Sequence, residues 1–221
     1  MNKIVLNSAP RTGLAWMQFF LSESMQRMPN KENILQDNFI IRSHTPVMLL
    51  GKFDEITQCF VLRNPFDLIP SIVTKTMGGY GFTINNGKSM PNENLNNNIK
   101  LLVSAQFDQY LSYSTSAIKN IDNIKPFTFE QITTDIDFVT KSILGSKISN
   151  ESIPLLMKKA LTKVISHDKG HPGYNNFLPV ETKPEVYQTI KDMLLNHKRM
   201  IEINDVYLES KAIILKHQKS F

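Results

Sequence analysis

Apolar and polar positions along the chain follow two periods, and their alternation predicts the architecture. Short apolar runs near 3–7, 38–42, 57–62 and 124–129 read as buried strands. Between and after them, apolar residues recur at helical spacing near 12–28, 65–77, 95–119, 130–144, 151–164, 184–197 and 203–217. In the first helix the core positions are Leu14, Met17, Leu21 and Met28. Strands that alternate with helices predict an α/β fold of three layers, a central mainly parallel sheet with helices on both faces. No internal repeat and no second core interrupts this pattern, which predicts a single domain over 1–221. The one long irregular stretch, 78–98, is rich in Gly and Asn and reads as a flexible loop or lid.

Composition narrows the function classes. With 221 residues, 41% of them hydrophobic, the chain can bury a substantial core. It has no apolar run of the roughly 18 residues a membrane helix needs. Asn7 and Ser8 cut the first apolar run too short for a signal-peptide core. Its single cysteine, Cys59, lies in a predicted strand and reads as a structural thiol. These features together predict a cytoplasmic protein. A net charge of +5 favours anionic ligands. The basic residues are scattered, and neither zinc-finger spacing nor RNA-motif aromatics occur, so no nucleic-acid partner is expected. No metal-ligand spacing is present either, so no metal is expected.

In parallel sheets ligands bind outside the carboxyl ends of the strands. Three motifs fall there. Residues 3–21, KIVLNSAPRTGLAWMQFFL, form a strand, a turn and a helix whose N-terminus suits a phosphate, with Arg11 adding a fixed charge. The turn is not a Walker A, which needs G-x-x-x-x-G-K-[ST]. In IIRSHTP, residues 40–46, Arg42 and His44 alternate at a strand end and can face one side. An imidazole titrates near neutrality and suits a general base. In CFVLRNPFDLIPS, residues 59–71, Asn64 caps a helix, Pro65 takes its first position, and Arg63 and Ser71 can flank one anion. Pro70 is expected to disturb that helix.

With PRTGLAW, RSHTP and RNPFDLIPS in this order, the chain resembles the PAPS-dependent sulfotransferases. The resemblance implies their P-loop NTPase-like fold, PAPS as co-substrate, 3′,5′-ADP as product, and no metal. It puts Arg11 in the place of the loop lysine that neutralises the leaving oxygen. Thr12, Gly13, Leu14 and Ala15 take the phosphate-binding turn, and Trp16 the place of the aromatic that stacks on adenine. His44 becomes the candidate base, with Arg42 in the place of a sulfuryl-contacting lysine. Arg63 and Ser71 take the 3′-phosphate. Lys169 and Gly170, in DKGHPGYNNF, match part of a loop that closes over that phosphate, and Phe129 matches a residue lining the adenine pocket. Leu14 and Ala15 stand where the family carries two threonines, and Asp168 where it carries an arginine.

The resemblance therefore implies transfer of a sulfuryl group from PAPS to a hydroxyl or amine of a small molecule or glycan. Two alternatives stand beside it. One is a protein that binds PAPS or 3′,5′-ADP without transfer, motivated by Leu14, Ala15 and Asp168. The other is a P-loop phosphotransferase, which suffers from the missing Walker A. The acceptor and the oligomeric state are not written in the sequence.

Overall fold

The computed structural model describes residues 3–9, 12–25, 40–44, 56–79, 95–145, 150–170 and 184–219. Arg11, Met28 and the stretch 80–94 lie outside the described residues. Four strands make one sheet: β1 (Lys3–Asn7), β2 (Ile40–Ser43), β3 (Ile56–Leu62) and β4 (Lys125–Thr128). Their order is β2-β1-β3-β4, and every neighbouring pair is parallel. A central strand of a sheet covered on both faces must be apolar on both sides, which is why β1 is buried from Ile4 to Asn7 without alternation.

Eight helices complete the described chain: α1 (Leu14–Ser24), α2 (Pro65–Gly79), α3 (Leu95–Lys119), α4 (Phe129–Thr134), α5 (Ile136–Leu144), α6 (Ile153–Gly170), α7 (Pro184–Leu195) and α8 (Met200–Gln218). Two cores lie on opposite sides of the sheet. On one side Ile4, Leu6, Cys59 and Val61 pack against Met17 and Phe20 of α1, Val139 of α5 and Val164 of α6. On the other, Phe60 and Leu62 pack against Ile69 of α2, Phe107 of α3, Ile190 of α7 and Ile203 of α8. The expected three-layer α/β fold with a parallel sheet is what the chain forms.

Some boundaries differ from the periodicity, each for a local reason. The expected helix over 130–144 is two helices. Asp135 closes α4 and then caps α5, its carboxylate accepting from the Phe138 amide at 3.3 Å. The first helix starts two residues later than expected because Gly13, at φ 80° and ψ 7°, is left-handed and stands before it as the cap. Pro70, expected to disturb α2, lies inside it without ending it. It lies in the second turn, where its missing N–H removes a single bond, and the Thr74 hydroxyl donates to the Pro70 carbonyl at 2.5 Å. The ends of the expected loop 78–98 are helical, Gly78 and Gly79 finishing α2 and residues 95–98 beginning α3. Among the described residues no helix is long and apolar enough to cross a membrane.

Cys59 is fully enclosed in the core under α1. Burial pushes its thiol up to about 12, against a smaller opposing effect of Lys125. A thiolate is the reactive form, so the folded protein will resist thiol reagents. Mass spectrometry after brief alkylation at neutral pH should find Cys59 unmodified, and fully modified when denaturant is present. Rapid labelling of the native protein would contradict this burial.

Candidate functional site

The carboxyl ends of β1, β2 and β3 are tied together by one residue. The Ser8 amide donates to the Ser43 carbonyl at 3.3 Å, joining β1 to β2. Its buried hydroxyl donates to the Val61 carbonyl, joining β1 to β3. Its own carbonyl, 2.8 Å from His44 Nδ1, accepts a hydrogen bond from the imidazole. A carbonyl can only accept, so Nδ1 carries a proton, and in the neutral ring the lone pair is on Nε2. The ring itself is exposed at the strand end. His44 is therefore held in the tautomer a general base requires. Nothing in the sequence pattern singles out Ser8; a serine that follows an apolar run reads as a turn residue.

The turn after β1 leads into an open helix end. The Thr12 hydroxyl faces inward and donates to the Ala9 carbonyl at 2.8 Å. Gly13 then reverses the chain, and its carbonyl accepts the first intrahelical bond, from the Met17 amide at 3.0 Å. No side chain caps this end, so the amides of Leu14, Ala15 and Trp16 make up an uncapped first turn with its positive dipole. The Leu14 and Ala15 side chains are buried in the core, and both residues can offer a ligand only their backbone. Gly13 is also closely packed. A Cβ built there would meet Ile132 Cδ1 at 2.9 Å and the Phe129 ring at 3.4 Å.

Through that contact the α1 turn meets the end of β4. Thr128 caps α4 by a reciprocal pair of bonds with Gln131, at 2.9 and 3.3 Å, which fixes Phe129 as the first helical residue. Gln131 is held in turn by Gln218, whose amide also donates to the Pro126 carbonyl at 2.6 Å. The Phe129 ring lies under the Arg63 guanidinium, 4.2 Å from ring centroid to Cζ. Arg63 is half-buried just beyond β3, and Tyr110 of α3 donates to its carbonyl at 3.1 Å.

Asn64 caps α2 as expected, its side-chain oxygen accepting from the Phe66 amide at 2.9 Å. Ser71 follows two turns into that helix and is half-buried. Burial holds the Arg63 guanidinium below its ordinary value, while Asp67, Tyr187 and Glu130 act the other way. Arg42 is lowered by burial too. Arginine stays charged in either setting, so the sheet edge carries two partly desolvated positive charges. Arg42, in register with Leu6, emerges on the sheet face that α1 covers.

Trp16 stacks on Phe20 of its own helix, with centroids 5.4 Å apart and planes at 21°, and is half-buried. Lys169 and Gly170 are the last two residues of α6, the helix packed along α1, so the backbone is helical where a loop was expected. Arg11 lies outside the described residues. A residue the sequence did not single out is Asn7, at the carboxyl end of β1. It is fully buried, and among the described residues neither atom of its amide has a hydrogen-bond partner. Among the described residues no group of three or more His, Cys, Asp or Glu is arranged to hold a metal ion.

The arrangement brings together an uncapped helix N-terminus, an arginine stacked on an aromatic ring and an imidazole with a fixed tautomer. Such a set can hold an anionic group and remove a proton beside it. No protein-family model matches the chain, and no curated protein matches it in sequence. Its fold is similar to that of mouse sulfotransferase SULT7A1, crystallised in complex with PAP. The two are 14% identical, with a TM-score of 0.55 over 96% of this chain and 88% of that one. The chain has the sulfotransferase-like α/β fold.

Proposed function

We propose that this protein is a sulfotransferase that moves a sulfuryl group from PAPS to a hydroxyl or amine of a small molecule or glycan. The observation that carries the reading is the bond from His44 Nδ1 to the Ser8 carbonyl, at the strand ends where the α1 N-terminus and Arg63 also lie. In this reading the acceptor oxygen or nitrogen attacks sulfur in line. The bond from sulfur to the 5′-phosphate oxygen breaks, and the acceptor proton passes to His44 Nε2. The α1 amides from Leu14 to Trp16 bind the 5′-phosphate, and Arg63 with Ser71 binds the 3′-phosphate. Arg11 and Arg42 offset charge that develops on the leaving and equatorial oxygens. Such chemistry asks for positioning and charge stabilisation rather than a covalent enzyme intermediate.

A second reading, a PAPS or 3′,5′-ADP binder without transfer, is favoured by Leu14 and Ala15. Their buried side chains supply no hydroxyl at the phosphate turn.

Both readings share the nucleotide site, and thermal unfolding tests it. A ligand that binds only the folded state stabilises by RT ln(1 + [L]/Kd), about 2.7 kcal/mol at a hundredfold excess over Kd. The expected result is a stabilisation by 3′,5′-ADP that 5′-ADP and ATP do not match and that Arg63→Ala abolishes. An equal response to all three nucleotides would make this a general phosphate binder. No response to any of them would overturn both readings.

A further inference from the structure

A cavity of about 540 Å³ opens between α3 and α7, at the turn that leads into α8. Lys100 and Ser104, one helical turn apart, line it from α3, and Asp192, Met193 and Asn196 line it from α7. His197 of the turn completes it. Ser104 precedes Tyr110, which donates to the Arg63 carbonyl, by about 9 Å along α3, so the cavity stands apart from Arg63.

The Ser104 hydroxyl lies 3.3 Å from His197 Nε2, a pairing that a nucleophile and its base would share. The direction of the bond is wrong for that chemistry. The Arg199 amide donates to His197 Nδ1 at 3.2 Å, so the neutral ring carries its proton on Nε2. Burial, with Arg199 and Lys198 close by, holds the imidazole below its ordinary value and so neutral at pH 7. Nε2 then donates to Ser104 and cannot take its proton. The hydroxyl keeps its own hydrogen to donate, and the cavity suits binding rather than reaction.

Its charges indicate what it binds. Lys100 on one wall and Asp192 on the other are exposed, and among the described residues neither has an ion-pair partner. The Gln188 amide donates to one Asp192 carboxylate oxygen at 2.8 Å and leaves the second open. The Asn196 side-chain amide donates to the Asp192 carbonyl at 2.8 Å, which leaves its oxygen as an acceptor. Besides a cation and an anion, the cavity thus offers a donor in Ser104, an acceptor in Asn196 and an apolar wall in Met193. A peptide bond needs one donor and one acceptor. An extended dipeptide spans about 7 Å between its charged ends, within the roughly 8–10 Å that separates the axes of packed helices.

We propose that this cavity binds a zwitterion of dipeptide size, its carboxylate on Lys100, its ammonium on Asp192 and its amide between Ser104 and Asn196. The site is independent of the nucleotide reading. Its charge contacts are exposed to water, so binding is weak, with Kd of order 1 mM.

Amide NMR spectra of the full chain, recorded with Ala-Ala from about 0.1 to 20 mM, bracket that value. Saturable shifts should fall on the ends of α3 and α7 that line the cavity. N-acetyl-Ala-Ala, which lacks the ammonium, and Ala-Ala amide, which lacks the carboxylate, should each bind about fivefold more weakly, the upper worth of an exposed charge pair. The variants then assign the ends. Asp192→Asn should bind Ala-Ala and N-acetyl-Ala-Ala alike, and Lys100→Gln should bind Ala-Ala and Ala-Ala amide alike. Circular dichroism should be unchanged in both, because both side chains are exposed. Absence of shifts up to 20 mM would overturn the proposal. So would equal binding of the capped peptides by the unmodified chain, indifference to both substitutions, or displacement of Ala-Ala by 3′,5′-ADP.

Discussion

Replacing His44 with alanine should lower sulfuryl transfer by ~10²–10⁴-fold, the usual worth of a positioned general base. The 3′,5′-ADP-induced rise in unfolding temperature should survive, because His44 hangs from the end of β2 and takes no part in the α1 turn or the Arg63 stack. The measurement is release of 3′,5′-ADP from PAPS with whichever member of a phenol, amine and sugar panel supports turnover. Its logic rests on tautomer. With Nδ1 donating to the Ser8 carbonyl, the lone pair of the neutral ring is on Nε2, and asparagine at position 44 can keep the inward bond while supplying no base. His44→Asn should therefore lose turnover as His44→Ala does. Turnover near that of the wild type in either variant would remove His44 from the mechanism and leave the site as a nucleotide binder.

The parallel sheet and the order of its helices were legible because strands buried on both faces leave apolar runs and helices leave a 3.6-residue rhythm. Turn chemistry was legible wherever one residue type does one thing, as with Asn64 before Pro65. Less of the site was legible, since its geometry depends on bonds between residues far apart in the chain. Ser8 is joined to Ser43, His44 and Val61, and none of these partners is adjacent to it in sequence. The stacking of Arg63 on Phe129 crosses a similar distance. Asn7 was hidden for a related reason. A polar residue at a strand end reads as the start of a loop, and only the packed sheet reveals an enclosed amide with bonding capacity left over. The break at Asp135 was missed because apolar spacing continues across it; the cap shows only in the bond to Phe138.

Gly13→Ala should destabilise the fold by about 2–5 kcal/mol and remove 3′,5′-ADP binding. Two effects add. The residue sits at φ 80°, where a side chain costs about 1–2 kcal/mol. The new methyl would also come within 2.9 Å of Ile132 Cδ1. That atom is the tip of a flexible chain but is fully buried, so the relief comes from shifting packed neighbours, at roughly 1–3 kcal/mol. For a chain of this size the loss corresponds to a fall of roughly 4–20 °C in Tm, which leaves the protein folded at low temperature.

Gly145→Ala is the control. Gly145 is also at positive φ, 71°, but a Cβ there meets nothing within 4 Å, and it lies after α5, away from the α1 turn. It should cost only its backbone strain, about 1–3 kcal/mol, and leave nucleotide binding intact. The ligand response separates a general loss of stability from damage to the site. Gly13 precedes the amides that would meet the 5′-phosphate, and its Cβ position faces the ring on which Arg63 lies. Any push there moves both ends of the nucleotide site at once. Full 3′,5′-ADP stabilisation in folded Gly13→Ala would show that the turn does not hold the phosphate, and the nucleotide site would then have to be sought elsewhere on the sheet edge.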